Sequence, residues 1–466
     1  MRSSLAKVLH EANGRAMVGH VLAATAPLEA HATCVVVGHQ RDRVRDFLQG
    51  THPGVLTAVQ DEQRGTGHAV RVALQQLGEQ SLELDSGTVM VLTGDTPLLT
   101  AQTLLSLHAV HVEAQAAATV LTAVVADASG YGRILRADNG DVLGIVEHKD
   151  ANAAQRAICE FNSGIYVFDL PLLRSALSQL TTDNAQGEEY LTDVLAILHK
   201  AGHRVAASIA ADADEVMGVN DRVQLALASQ LLRQRVNESH MRAGVTIIDP
   251  QTTWIEAGVS IARDVVIEPN TFLQGATSIA EGAHIGPDTT LVDCAVEAGA
   301  VVLRSHATGA VIGPRATVGP FTYLRPGSVL GEQAKAGAYV EMKSARIGRG
   351  SKVPHLSYVG DAEIGDDTNI GAATIFANYD GVTKHRSIVG SGVRVGSDNV
   401  IVAPATIGDG AYTAAGSVIT GDVPAGSLAV ARAAMRIIEQ WVLRKRAGTS
   451  SAVLAQAAID RDEEQH

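Results

Sequence analysis

An apolar side chain arrives at every sixth residue over much of this chain. The first run is Ile261, Ile267, Leu273, Ile279, Ile285 and Leu291. The register returns at Ile312, Val318, Leu324 and Leu330, and again at Val389, Val395, Ile401 and Ile407. A helix repeats its face every ~3.6 residues and a strand every ~2, so neither produces this pattern. A six-residue period belongs to a parallel β-helix, in which each hexad lays down one short flat face and sends its apolar residue into the prism. Glycine follows the apolar residue at Gly286, Gly313, Gly319, Gly348, Gly365, Gly371, Gly390, Gly396 and Gly408, where a corner takes only a small or positive-φ residue. Aromatic residues make up only 3% of the chain, which suits a core of stacked Ile, Val and Leu.

The solenoid is expected from about Val245 to Val430. Two stretches break the count, 340–346 and 376–387. Insertions in a solenoid become loops on one side, often the binding side.

Upstream, strand-like and helix-like segments alternate. Strands are predicted at Cys34–Val37, Val55–Val59, Val89–Thr93 and Thr119–Val125, with helices at Arg41–Gln49, Gly67–Leu77 and Ala101–Ala114. This alternation predicts a doubly wound α/β domain built on a mostly parallel sheet, with ligands at the carboxyl ends of the strands. Asp95 and the Gly65-Thr66-Gly67 loop lie at such ends. Val223, Leu227 and Leu231, four apart, predict a connecting helix over Asp221–Met241. The domain reading is 1–220 for the α/β domain, 221–244 for a linker helix, 245–446 for the β-helix and 447–466 for a flexible or frayed tail.

The net charge is −13, so no global field draws this chain to nucleic acid or to an anionic membrane. A phosphate site must come from local Lys, Arg and backbone amides. Cys34, Cys159 and Cys294 are odd in number and far apart, as expected for thiols in a reducing cytosol. No apolar run reaches transmembrane length, and the first residues as written are not expected to form a signal-peptide core.

In the first domain the informative pieces are scattered: Lys7-Val8-Leu9-His10, Gln60, Gly65-Thr66-Gly67-His68-Ala69, Leu92-Thr93-Gly94-Asp95-Thr96-Pro97-Leu98, Gly130-Tyr131-Gly132-Arg133, Glu147-His148-Lys149-Asp150, Asn162-Ser163-Gly164 and Gly218-Val219-Asn220. Each is weak alone, but their order and spacing resemble the sugar-phosphate nucleotidyltransferases. With the hexads behind them, nearly the whole chain resembles the bifunctional N-acetylglucosamine-1-phosphate uridyltransferase/glucosamine-1-phosphate acetyltransferase family. The resemblance implies that Lys7 faces the triphosphate, that Gln60, Gly65 and Thr66 receive uracil and ribose, and that Gly132, Glu147 and Asn162 hold the N-acetylglucosamine moiety. Asn220 contributes to the nucleotide site and, with Asp95, implies a Mg²⁺ site of hard oxygen ligands. Attack of a sugar phosphate on the α-phosphorus of UTP joins two anions, so it needs a cation, Mg²⁺ and positioning.

Relatives in that family begin with a strand and a Gly-rich loop of the form Leu-Ala-Ala-Gly-x-Gly-Thr-x-Met. Here Met1, Arg2 and Ser3 stand at what corresponds to the last Met of that loop. A start assigned downstream of the true one is the expected explanation. The chain as written is expected to be poor at uridyl transfer, for want of backbone N–H donors to phosphate. An acetyltransferase with an impaired first domain is the alternative reading.

The second domain matches the family at Leu324-Arg325-Pro326-Gly327, Glu341-Met342-Lys343, His355-Leu356-Ser357-Tyr358-Val359-Gly360-Asp361, Asn369-Ile370-Gly371-Ala372, Asn378-Tyr379-Asp380-Gly381, Val395-Gly396-Ser397 and Ala415-Gly416-Ser417. Acetyl transfer from a thioester to an amino sugar requires a base for the amine proton and donors for the oxyanion. His355 is the expected catalytic base, since a free imidazole titrates near pH ~6.5. The resemblance puts Arg325, Lys343, Tyr358 and Asn369 around glucosamine-1-phosphate, with Lys384 adding to the phosphate site. It puts Ala372, Asn378, Tyr379, Ser397, Ala415 and Arg432 at acetyl-coenzyme A. Ala373 departs from the pattern, because relatives usually carry Gly there; a negative φ would make the extra methyl neutral. The family also implies a homotrimer, a cytoplasmic enzyme with small-molecule substrates, and a product that feeds bacterial envelope synthesis. A regulatory β-helix of the ADP-glucose-pyrophosphorylase kind, a non-enzymatic scaffold and a γ-type carbonic anhydrase fit less well. The first two do not need the His355/Asn378 set, and His306, His355 and His385 share no ligand spacing.

Overall fold

The computed structural model describes residues 1–79 and 85–463. The chain divides into two compact units, Met1–Gly299 and Ala300–His466.

In the first unit a six-stranded sheet runs Val205–Ile209, Ala118–Val124, Glu160–Asp169, Arg133–Arg136, Val142–Val146, with Thr88–Val91 also paired to Glu160–Asp169. Side chains alternate between two cores. Val120 and Phe168 join the cluster under Leu173, Val194 and Leu195, while Leu121 and Val167 join the one under Leu104 and Leu107. This is the period-two burial of a sheet covered on both faces. The sequence-based helices are present as Arg41–Thr51, Thr66–Glu79 and Ala101–Ala114. The last begins where the Thr103 N–H donates to the Thr100 hydroxyl at 3.3 Å, an N-cap that satisfies an orphan donor.

The expectation of a mostly parallel sheet is corrected here. In the six-stranded sheet only Val205–Ile209 and Ala118–Val124 are hydrogen-bonded to each other in parallel; the ten-residue strand Glu160–Asp169 enters antiparallel and pairs with Ala118–Val124 on one side and Thr88–Val91 on the other. Cys34–Val37 and Leu56–Val59 form a separate two-stranded parallel ladder. Alternating βα segments signal crossovers, but a strand that returns between two others leaves no mark in that alternation.

The helix Arg222–Arg242 is capped by Asp221, whose carboxylate accepts from the Gln224 N–H at 2.8 Å. Its Asn237 is 1% exposed and donates to the carbonyls of Pro250 and Thr253, both at 3.0 Å. That anchors the helix to the first solenoid turn of its unit. There Ile261 pairs with Ile279, Ile267 with Ile285 and Leu273 with Leu291, all in parallel. Each pair is 18 residues apart, so one turn is three hexads. These six are buried except Ile261, which is half-buried at the start of the stack.

The second unit continues the same pattern, and the fold is a nucleotidyltransferase domain followed by a left-handed parallel β-helix. Leu324, Met342, Val359 and Phe376 are fully buried on successive turns of one column. The two expected register breaks have different meanings, and the structure adds an earlier one that the sequence reading missed: Ser278 pairs with Ala295 at an offset of 17 and Val301 with Thr317 at 16. From Val311 to Val329 the offset is 18; from Val329 to Arg346 and from Arg346 to Glu363 it is 17. From Glu363 to Ile388 it is 25, then 18 again to Thr406. The first expected break removes one residue from each of two turns, and the second extrudes a loop. The glycines also divide. Gly286 and Gly319 have positive φ. At Gly371, by contrast, a Cβ would lie 2.4 Å from the Gly396 carbonyl carbon on the next turn, so the requirement is space.

The tail, expected to be disordered or a frayed helix, contains an α-helix, Ser450–Glu463. Among the described residues no helix is long and apolar enough to cross a membrane. Cys34 and Cys159 are free thiols, and the buried Cys294 thiol donates to the Val292 carbonyl at 3.3 Å.

Candidate functional site

Each unit holds one cluster of the expected residues. In the first, Lys7 stands between two oxygens: its Nζ is 2.5 Å from Asp95 Oδ2 and 2.6 Å from Asn220 Oδ1. The Val219 N–H donates to the Asp95 carbonyl at 2.9 Å, which ties Gly218-Val219-Asn220 to the strand end bearing Asp95. Lys7 thus meets two residues that lie 88 and 213 positions from it in sequence.

Gln60 donates through Nε2 to the Gly65 carbonyl at 3.1 Å and lies 3.0 Å from His68 Nδ1. Gly65 has φ +108, and a Cβ there would meet the Glu189 carbonyl at 2.5 Å, so only glycine fits. The Thr66 hydroxyl accepts from the Leu191 N–H at 3.0 Å. Gly132, Glu147 and Asn162 also converge. The Asn162 N–H donates to the Gly132 carbonyl at 2.9 Å, and a Cβ on Gly132 would lie 3.4 Å from Glu147 Oε2. Asn162 Oδ1 accepts from the Tyr166 hydroxyl at 3.0 Å. Burial raises the Glu147 carboxyl, with the Thr192 hydroxyl at 3.3 Å opposing and the Asp150 and Asp193 charges adding to the rise.

Sequence reasoning missed the strap Glu188–Thr192. It bonds Gly67 through the Glu189 carbonyl, Thr66 through Leu191 and Glu147 through Thr192, so it joins the two halves of this cluster. Glu189 also pairs with Arg71. No spacing rule links these positions; only the fold does.

In the second unit the outward residues of one solenoid column carry the set. Because Leu324, Met342 and Val359 point inward, Arg325, Lys343 and Gly360 follow one another outward on successive turns, beside Glu341 and Tyr358. Arg325 pairs with Glu341 at 3.1 Å. Lys343 Nζ donates to both oxygens of Asp361, at 3.2 and 3.0 Å. The Asn378 amide donates to Asp361 Oδ2 at 2.5 Å and to the Tyr358 hydroxyl at 3.5 Å. Gly360 makes this convergence possible, since a Cβ there would lie 2.5 Å from the Tyr358 hydroxyl and 2.6 Å from Asn378 Nδ2.

The extruded loop is braced from within. Tyr379 and Lys384 bridge antiparallel, and Asp380 accepts from the Val382 and Thr383 N–H groups and from His385 at 2.7 Å. The Lys343 ammonium close beside it holds the Lys384 amine below its ordinary range. A hollow lined by Ser344, Asp361, Lys384, His385 and Arg386 opens beside the loop.

Ala372, Ser397 and Ala415 form a second edge. Their separations of 25 and 18 residues match the local turns, and backbone bonds join them: Asp398 N–H to the Ala372 carbonyl at 2.7 Å and Gly416 N–H to the Ser397 carbonyl at 2.9 Å. Asn369 lies in the same column, paired with Arg394. Arg432 is exposed beyond the last turn. His355 is exposed at the end of the strand Lys352–His355, and its carbonyl accepts from the Ala373 N–H at 3.3 Å and the Ser357 hydroxyl at 2.8 Å. Ala373 has φ +59, so the condition for a neutral methyl there is not met. Asp361, Gly360 and Glu341 lie within the family-matching segments, but their residue types alone assign them no role. The 17-residue turn that brings Gly360 beside Lys343 was the signal available for them.

Residues 2–253 match the family described as nucleotidyl transferase. The chain is 56% identical over 458 residues to the bifunctional protein GlmU of Streptomyces coelicolor, covering 98% of this chain and 94% of the relative. It is 56% identical over 464 residues to the GlmU of Streptomyces avermitilis, covering 99% and 95%. It is 52% identical over 462 residues to that of Corynebacterium glutamicum, covering 98% and 94%.

Proposed function

The chain belongs to the family of the bifunctional protein GlmU, and from that premise we propose how its two sites divide the work. It is an enzyme of two activities. It acetylates glucosamine-1-phosphate with acetyl-coenzyme A, and it transfers UMP from UTP to N-acetylglucosamine-1-phosphate, giving UDP-N-acetylglucosamine and diphosphate. The single-activity alternative is not favoured, because relatives matched over nearly their whole length are named bifunctional.

The observation that carries the acetyl-transfer site is the convergence of Lys343, Asp361, Asn378 and Tyr358 where the hexad register breaks. In our reading Arg325, Lys343, Tyr358 and Asn369 hold glucosamine-1-phosphate. Ala372, Asn378, Tyr379, Ser397, Ala415 and Arg432 receive acetyl-coenzyme A, the small residues letting it approach the backbone. His355 takes the proton of the attacking amine. The nitrogen bonds to the thioester carbonyl carbon as that proton leaves, Asn378 donates to the oxyanion, and the C–S bond breaks while the proton held by His355 passes to the departing sulfur, releasing the coenzyme thiol.

For uridyl transfer, Lys7 neutralises the triphosphate. Gln60, Gly65 and Thr66 seat the nucleoside, and Gly132, Glu147 and Asn162 seat the sugar. Asp95 and Asn220 fit Mg²⁺, since a carboxylate and an amide oxygen converge within 2.6 Å of one cationic nitrogen. Among the described residues no group of three or more His, Cys, Asp or Glu is placed to hold a metal; the remaining ligands would be phosphate oxygens and water, as Mg²⁺ prefers. Bound there, the ion would supply charge neutralisation at the α-phosphate. We assign the protein to the cytoplasm as a homotrimer acting on small molecules.

The test is His355→Ala. Acetyl transfer should fall by about 10²–10⁴-fold while uridyl transfer to N-acetylglucosamine-1-phosphate persists; chelating Mg²⁺ should do the reverse. Unchanged acetyl transfer in the variant overturns the base assignment.

A further inference from the structure

We infer that Asp361 is a positioning residue for acetyl transfer, holding the phosphate-facing lysine and the thioester-facing amide in one geometry; this rests on the site reading above. Asp361 receives both Lys343 and Asn378, and these two groups serve opposite ends of the reaction. Lys343 faces the sugar phosphate and Asn378 faces the acetyl group. One carboxylate thus sets the spacing between the anchored end of the substrate and the donor for its reacting end. A misplacement of about 1 Å costs up to ~10²-fold in rate, so such a link has a kinetic consequence.

The residue is itself fixed. Its backbone is left-handed, φ +47. Its N–H donates to the Lys343 carbonyl at 2.9 Å and its carbonyl accepts from the Ser387 N–H at 3.2 Å. The side chain is mostly buried, with 20% of its surface exposed against 18% for Lys343. Gly360 before it leaves room for the Tyr358 hydroxyl and Asn378 amide to meet.

Asp361 also sets the local charge. Lys343 and Lys384 crowd each other, with Arg325 adding repulsion. Facing them are Asp361, Tyr358 and Asn378; His385 and Arg386 rim the hollow, and Glu341 is taken up by Arg325. Burial pushes the Asp361 carboxyl up, but hydrogen bonds from Lys343 and Asn378 and the lysine charges overcome it, and the group stays ionised. Its charge in turn raises Lys384, which Lys343 depresses. Without that carboxylate Lys384 loses its proton at lower pH, and phosphate binding weakens on the alkaline side.

The experiment compares Asp361→Asn, Asp361→Glu and Lys343→Ala in the full chain, with the thermal midpoint of the second unit by calorimetry as the control for folding. Asn tolerates the left-handed backbone and keeps the shape without the charge. Its kcat for acetyl transfer should fall by about 10–100-fold, and its KM for glucosamine-1-phosphate should rise at a lower pH than in the wild type. Asp361→Glu keeps the charge but moves it outward, so kcat falls while the pH at which KM rises stays put. If Asp361→Asn matches the wild type while Lys343→Ala loses activity, the positioning role is overturned and the site reading stands. If both variants keep full acetyl transfer, both fall.

Discussion

Replacing Gly371 by alanine puts a methyl carbon 2.4 Å from the Gly396 carbonyl carbon and 2.5 Å from the Ser397 nitrogen. Optimal carbon contacts lie at ~3.5–4.0 Å, so the next turn must retreat by roughly 1 Å. It cannot do so freely. Gly371 donates to the Val395 carbonyl at 2.9 Å, and Gly396 donates onward to the Thr413 carbonyl at 3.0 Å. Overpacking costs ~1–3 kcal/mol, and straining two backbone hydrogen bonds adds ~1 kcal/mol each. The expected loss is therefore about 3–5 kcal/mol, or a thermal midpoint lower by roughly 6–20 °C for a unit of this size. The displaced backbone also carries Ala372 and Ser397, so the KM for acetyl-coenzyme A should rise, while uridyl transfer, sited in the other unit, should not change. Gly421 is the control. It has no heavy atom within 4 Å of its would-be Cβ, and Gly421→Ala should be neutral or stabilising by up to ~1 kcal/mol. Calorimetry and initial rates on the two variants decide the matter. A Gly371→Ala protein as stable as Gly421→Ala would refute the close-approach argument for the repeat glycines.

Ala373→Gly should stabilise the second unit by roughly 0.5–1 kcal/mol, because relief of a left-handed alanine at ~1–2 kcal/mol exceeds the added chain entropy of ~0.4–1 kcal/mol; urea unfolding checks it, and a lower midpoint counts against it. Glu147 offers a pH test. Its folded carboxyl titrates above the unfolded one, chiefly through burial, so stability declines as pH rises through the gap between those values and the deficit persists above it. Glu147→Gln should therefore raise the thermal midpoint of the first unit at neutral pH, lose that advantage in acid, and weaken N-acetylglucosamine-1-phosphate binding in a titration.

The six-residue period determined the solenoid and its inward residues, because a repeat that buries one residue per face leaves its signature in the chain itself; of the places where it fails, the shortened turns between Ser278 and Tyr323 were not read from it. Helix positions were legible for the same reason: periodicity is local. Strand direction was not, and Glu160–Asp169 runs antiparallel between two strands that the alternation of segments alone did not separate. The candidate sites divide the same way. Lys7, Asp95 and Asn220, and Lys343, Tyr358 and Asn378, are recognisable as residue types at family positions. That Lys7 sits between two oxygens, that Glu188–Thr192 straps the first site together, and that Asp361 binds Lys343 and Asn378 at once are facts of tertiary structure. Turn lengths of 17 and 25 residues decide which outward side chains become neighbours, and charge pairing depends on those through-space distances rather than on sequence separation. The sequence by itself specified what is stacked and two of the places where the stack is interrupted; the fold decided which of the interrupted residues meet.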